Sequence, residues 1–267
     1  MTKLRILMGA LLVAMLLITL IGCGDAGAST AASQPSFVLC LFDASGTTKD
    51  ERNSYLRDFN SIVDQLQGGD SLWADAITEN CLATARIPVR LELPAFSVLT
   101  ANQDDYDDQI RGLKQKARAS AETLTSTQMT PRTAILDSML LAQKLFRGDR
   151  AKTASHRVLV IFSDMREDSE RYCFDREILT PSRIRQVVAA EKAGSRIPEL
   201  GEVTVYVTGA TADRKGDPGQ IRRIQAFWQA YFRAAGTELP DEHYAASLLS
   251  FSLPGERRTS AMNQLSR

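Results

Sequence analysis

Two apolar runs constrain this chain more than anything else in it. Phe37-Val38-Leu39-Cys40-Leu41-Phe42 and Val158-Leu159-Val160-Ile161-Phe162 contain no polar side chain. Runs of this kind fit strands buried on both faces rather than strands with one wet side. Such strands need a covering layer on each side. The segments around them supply it, because apolar residues recur there at helical spacing.

Leu56, Phe59, Ile62, Val63 and Leu66 make one such helical stripe, stopped by Gly68-Gly69. Residues 104–124 read as a polar helix with Tyr106, Ile110 and Leu113 on one face. The helix expected over 133–146 turns Ile135, Leu136, Met139, Leu140 and Leu145 inward and uses Gly148 as its stop. A further helix is expected over 178–193 through Ile184, Val187 and Val188. The last carries Ile221, Ile224, Phe227, Trp228, Tyr231 and Phe232 on one face, which marks a core helix. Weaker strands are expected at 71–78, 89–96, 203–207 and 245–251, with Pro94 placing the second of these at an edge. Strands alternating with helices predict an α/β domain with a mainly parallel sheet and helices on both faces. In such sheets ligands bind outside the carboxyl ends of the strands.

Both strong strands end in acids. The first runs into Asp43-Ala44-Ser45-Gly46-Thr47 and the second into Ser163-Asp164. Carboxylate and hydroxyl oxygens at a strand end suit a hard cation such as Mg²⁺. The same first loop also fits an aspartate that accepts a phosphoryl group, and Asp or Thr at a strand end also caps helices. A third piece, Thr133-Ala134-Ile135-Leu136-Asp137-Ser138-Met139, opens a later helix.

With these three pieces in this order, residues 36–251 resemble the von Willebrand factor A family. The resemblance implies a von Willebrand A-like, Rossmann-type fold with a metal-ion-dependent adhesion site at the carboxyl edge. Carried over by position, the metal ligands are Asp43, Ser45, Thr47, Thr133 and Asp164. The implied ion is Mg²⁺, with Mn²⁺ or Ca²⁺ as alternatives. The implied function is binding of a protein ligand that offers a carboxylate to the metal, without catalysis. Thr47 stands where the family usually has Ser, and keeps a hydroxyl. Arg132 stands where many members have Gly, with Thr130 as the substitute ligand if that loop is shifted.

The enzyme alternative is a haloacid dehalogenase-like phosphatase with Asp43 as nucleophile, because Asp43 to Thr47 also resembles that family's first motif. Ser45 stands at its second acid and is no general acid at neutral pH. Asp164 and Asp168 would be its metal acids. A third reading is a structural von Willebrand A-like domain without a metal. His156 and His243 lack zinc spacing, and no Gly-x-Ser-x-Gly elbow is present. Asp104, Asp105, Asp107 and Asp108 read as the N-terminal face of a helix, complementing its dipole, with a calcium site as the alternative. Arg166, Glu167, Asp168, Glu170 and Arg171 read as a solvated loop or as the rim of the site.

The N-terminus differs in kind. Lys3 and Arg5 precede an uncharged run over 6–22, a little short of the ~20 residues of a spanning helix. Leu20-Ile21-Gly22-Cys23 resembles the lipobox of bacterial lipoproteins. That resemblance implies cleavage before Cys23, lipidation (palmitate) of that cysteine and a membrane-held mature protein. The expected organisation is a signal peptide over 1–22, a flexible tether over 23–35, the domain over 36–253 and a polar tail over 254–267. The expected location is the bacterial cell envelope outside the cytoplasm, with Gly24 favouring the outer membrane where the host has one. Loss of Lys3 and Arg5 turns 32 basic against 32 acidic residues into a net charge of −2. With no basic excess, nucleic acid is not an expected partner. Export permits disulfides. Cys40 reads as a buried hydrophobe, while Cys81 and Cys173, in polar loops, either pair or remain free.

Overall fold

The computed structural model describes residues 34–43, 45, 51–97, 102–127, 130–210, 217–248 and 251–253. The proposed signal peptide, Cys23, nearly all of the tether, Thr47 and the polar tail lie outside the described residues.

The chain order is β1 (Ser36–Asp43), α1 (Arg52–Gln65), β2 (Ser71–Ile77), a short α2 (Cys81–Thr84), β3 (Val89–Glu92) and α3 (Gln103–Thr127). It continues with α4 (Ile135–Phe146), a short α5 (Asp149–Lys152), β4 (His156–Phe162), α6 (Pro181–Ala193), β5 (Val203–Thr208), α7 (Pro218–Ala234) and β6 (Tyr244–Ala245). One sheet of order β3-β2-β1-β4-β5-β6 results, parallel throughout except for β3, which runs antiparallel to β2 at the edge. Among the described residues, no helix is long and apolar enough to cross a membrane.

The two apolar runs are neighbours at the sheet centre, with Phe42 opposite Phe162. Because side chains alternate along a strand, each run feeds two cores. Phe37, Leu39, Leu41, Leu159 and Ile161 pack with Ile135, Met139, Ile184, Phe227 and Trp228 from α4, α6 and α7. Val38, Cys40, Phe42, Val158, Val160 and Phe162 pack with Tyr55, Phe59, Ile62, Ala121 and Leu124 from α1 and α3. That double burial explains why neither run contains a polar residue.

Several local expectations need correction. The third long helix, α4, starts at Ile135, not Thr133, because the Thr133 N–H and C=O are paired at 3.0 Å each with the backbone of Asp168. Its C-cap is Arg147, and Gly148 directly after it is the first extended residue, which also stands at the N-cap of α5. On its inner face Leu140 is only half-buried, whereas Leu141 and Ala142 are buried. α6 begins at Pro181, with the Thr180 hydroxyl accepting from the Arg183 N–H at 3.2 Å, and Ile178 is 73% exposed. β3 ends two residues before Pro94. The last strand shrinks to Tyr244–Ala245, although Phe251 still packs on Tyr206 with ring centroids 5.1 Å apart. Cys81 is buried at the start of α2 instead of lying in a polar loop, and Cys40, Cys81 and Cys173 are all free, so Cys81 and Cys173 are not joined here.

Candidate metal centre at the carboxyl edge of the sheet

β1 and β4 deliver their terminal acids to the same edge, because they are parallel neighbours in register. Asp43 is 3% exposed and Asp164 8%. Asp43 is the hub. Its Oδ1 accepts from the Ser45 N–H at 2.8 Å and from the Thr133 hydroxyl at 3.3 Å. Its Oδ2 accepts from the Ser163 hydroxyl at 2.7 Å. Three pieces of chain separated by 90 and 120 residues therefore meet on one carboxylate. Asp164 turns one oxygen to the backbone N–H of Arg166 at 3.1 Å. The other lies 3.8 Å from the Arg166 guanidinium, which also bonds Asp175.

The loop before α4 is held from two sides. Thr133 pairs with Asp168, and Ser45 makes a single parallel bridge with Thr130. At the first turn of α4, where backbone N–H groups lack helical partners, the Leu136 N–H is taken by Glu167 Oε2 at 3.0 Å. Glu167 is buried, not a solvated or rim residue as its charged neighbours suggested. Arg132, Asp168, Arg171 and Arg176 line an open polar hollow of about 630 Å³ beside this loop.

Burial raises the Asp43 carboxyl above the ordinary range, against the lowering effect of its Ser163, Ser45 and Thr133 hydrogen bonds. Burial also pushes Asp164 up, to about 7, and the neighbouring Asp43 charge acts in the same direction. Glu167 is likewise pushed up to about 7 by burial. Two close acids thus share one buried edge, with the Arg166 guanidinium beside Asp164.

The donor set fits a hard divalent cation: two carboxylates with the Ser45 and Thr133 hydroxyls, all buried and all oxygen. A threonine hydroxyl that gives its proton to Asp43 keeps its lone pairs for a cation. The Thr130 hydroxyl, bridged to this cradle through Ser45, is buried and has no hydrogen-bond partner among the described residues. Among the described residues there is no group of three or more His, Cys, Asp or Glu that could hold a metal; a cradle of two acids and hydroxyls is a different kind of site. The structure brings together Asp43, Ser45, Thr133 and Asp164, while Thr47 lies outside the described residues. The two acids and their order were legible in the sequence. Ser163 was visible only as the residue before Asp164, and Glu167 gave no local signal of its burial.

The sheet order, the antiparallel edge strand and the meeting of β1, the α4 approach and β4 at one edge give a mainly parallel, Rossmann-type α/β fold that matches the von Willebrand A-like expectation. No family model matches the chain, and no curated protein matches it. Solved structures similar to it include the pilus adhesin SpaC from Lactobacillus rhamnosus GG in its open conformation, at 9% identity and TM-score 0.44, covering 87% of this chain and 30% of that one. A von Willebrand factor type A protein from Catenulispora acidiphila matches at 16% and 0.40, over 77% of this chain and 44% of that one. The manganese-loaded TRAP protein of Plasmodium vivax matches at 16% and 0.41, over 81% and 70%. The chain thus spans less than a third of the adhesin and less than half of the Catenulispora protein.

Proposed function

We propose that this chain is a lipid-anchored binding protein whose von Willebrand A-like domain holds a divalent cation through Asp43, Ser45, Thr47, Thr133 and Asp164. The observation that carries this reading is the convergence of two buried acids with hydroxyls on one sheet edge, centred on Asp43. A cation bound there would supply an electrophilic open position for a carboxylate of a protein partner. The chain's own residues hold the shape: Ser163 and Thr133 orient Asp43, and Glu167 and Asp168 fix the approach to α4. No catalytic step is assigned to the site. The lipobox over Leu20 to Cys23 supports attachment to a bacterial envelope membrane facing away from the cytoplasm.

Calorimetric titration with Mg²⁺ and Mn²⁺ tests the site. Wild type binds at least one of them and Asp164→Ala loses it; a wild type that takes up neither ion ends the metal reading. Labelling with radioactive palmitate tests the anchor, with the label expected on wild type and absent from Cys23→Ala.

A further inference from the structure

Tyr55 lies in the first turn of α1 and is 1% exposed. Its ring packs on Phe162, centroids 5.8 Å apart, directly before the Ser163-Asp164 pair. Its hydroxyl lies against the backbone of Gly209, where a Cβ would collide with it. Gly209 also has φ +95°, a conformation that favours glycine. The residue before it, Thr208, accepts the Ser163 N–H at 2.9 Å, and Ser163 in turn holds Asp43. A phenol is thus led, through an approach that only a glycine permits, to the edge where the acids converge.

That hydroxyl is buried and has no hydrogen-bond partner among the described residues. Buried hydroxyls are paired as a rule, because an unpaired one forfeits its bonds to water. Phenylalanine would fill the same aromatic slot without that penalty. Burial, then the Asp43 and Asp164 charges, keep the phenol protonated, so it is a donor awaiting an acceptor. Both oxygens of Asp43 already accept hydrogen bonds.

We propose that Tyr55 is a ligand-orienting residue whose hydroxyl, seated against Gly209, donates a hydrogen bond to an oxygen atom of what the site takes up. That oxygen belongs to a cation-bound water or to an incoming carboxylate. The inference rests on the metal reading above.

Tyr55→Phe tests it by three measurements on the full chain: melting temperature without ions, Mn²⁺ affinity by calorimetry, and the gain in Mn²⁺ affinity when excess acetate stands in for a partner carboxylate. Without ions, Tyr55→Phe melts at the same temperature as wild type or higher, because it deletes an unpaired group. With ions it loses about tenfold in affinity, the loss expected for one directed hydrogen bond. A loss in Mn²⁺ affinity itself assigns the phenol to the bound water. A loss confined to the acetate effect assigns it to the carboxylate. A Tyr55→Phe variant that matches wild type in both ion measurements overturns the proposal and leaves the metal site standing. A lower ion-free melting temperature also overturns it, since the hydroxyl would then be structural. A wild type blind to Mn²⁺ overturns the metal reading, and this inference with it.

Discussion

The molecule buries acids in two ways. Glu191 on α6 is 0% exposed, yet Arg196 grips both its oxygens at 2.9–3.1 Å, Tyr172 donates to it at 3.0 Å, and Arg171 stands 3.6 Å away. Asp43 is similarly buried, but the donors seen on it include the Ser163 and Thr133 hydroxyls and the Ser45 N–H, and the nearby Asp164 repels it. The first acid carries its own counter-charge and belongs to the scaffold. The second is oriented by hydroxyl and backbone donors and stands beside another acid, on the sheet edge where ligands bind. Burial alone does not distinguish a structural acid from a functional one; the charge of its partners does.

This difference predicts effects of opposite sign. Glu191→Ala breaks a satisfied buried cluster and lowers stability by about 3 kcal/mol in denaturant unfolding. Asp164→Asn removes a repelling charge and raises ion-free stability, on the order of 1–3 kcal/mol at alkaline pH, while abolishing Mn²⁺ uptake. A stabilised Glu191→Ala, or a destabilised Asp164→Asn, breaks the comparison.

Proton linkage gives the same contrast without mutation. Asp164 and Glu167 both have folded-state values raised to about 7. Between the ordinary carboxylate range and about pH 7, the folded protein therefore binds more protons than the unfolded chain. Ion-free stability falls as pH rises through that window and levels off above it. Mn²⁺ should offset the part due to Asp164, so its stabilising effect is larger at pH 8 than at pH 5. Thermal melts at the two pH values, with and without Mn²⁺, read this directly; Glu167→Gln isolates the share that the ion leaves in place.

The parts of this picture legible in the sequence are those carried by local periodicity. The runs at 37–42 and 158–162 announced buried strands, and the acids that end them lay where a parallel sheet presents ligands. Thr133 was found, but its conformation was not, because a pairing with Asp168 thirty-five residues on overrides the helical start. Glu167 was misread for a related reason. Its charged neighbours suggested solvent, while an unfilled N–H at the start of α4 drew it into the interior. Tyr55 sits one helical turn before Phe59 on an apolar face, which advertises packing and conceals the hydroxyl. Non-local hydrogen bonds decide Thr133 and Glu167, and non-local packing on Phe162 and Gly209 decides Tyr55; composition registers neither.

The smallest expected effect concerns the link between the two regions. Arg171 bonds Asp137 on α4 at 2.6 Å and lies near Glu191, while its own loop carries Asp168, the partner of Thr133. With about a third of its side chain exposed, and with Arg196 still holding Glu191, Arg171→Gln should cost about 0.5–1 kcal/mol. If the regions are independent, its Mn²⁺ affinity equals that of wild type. A fall in affinity of tenfold would show instead that the scaffold acid sets the position of Thr133 through this arginine. The two modes of burial would then be halves of one device, with the ion-paired acid at α6 holding the paired acids of the sheet edge in shape.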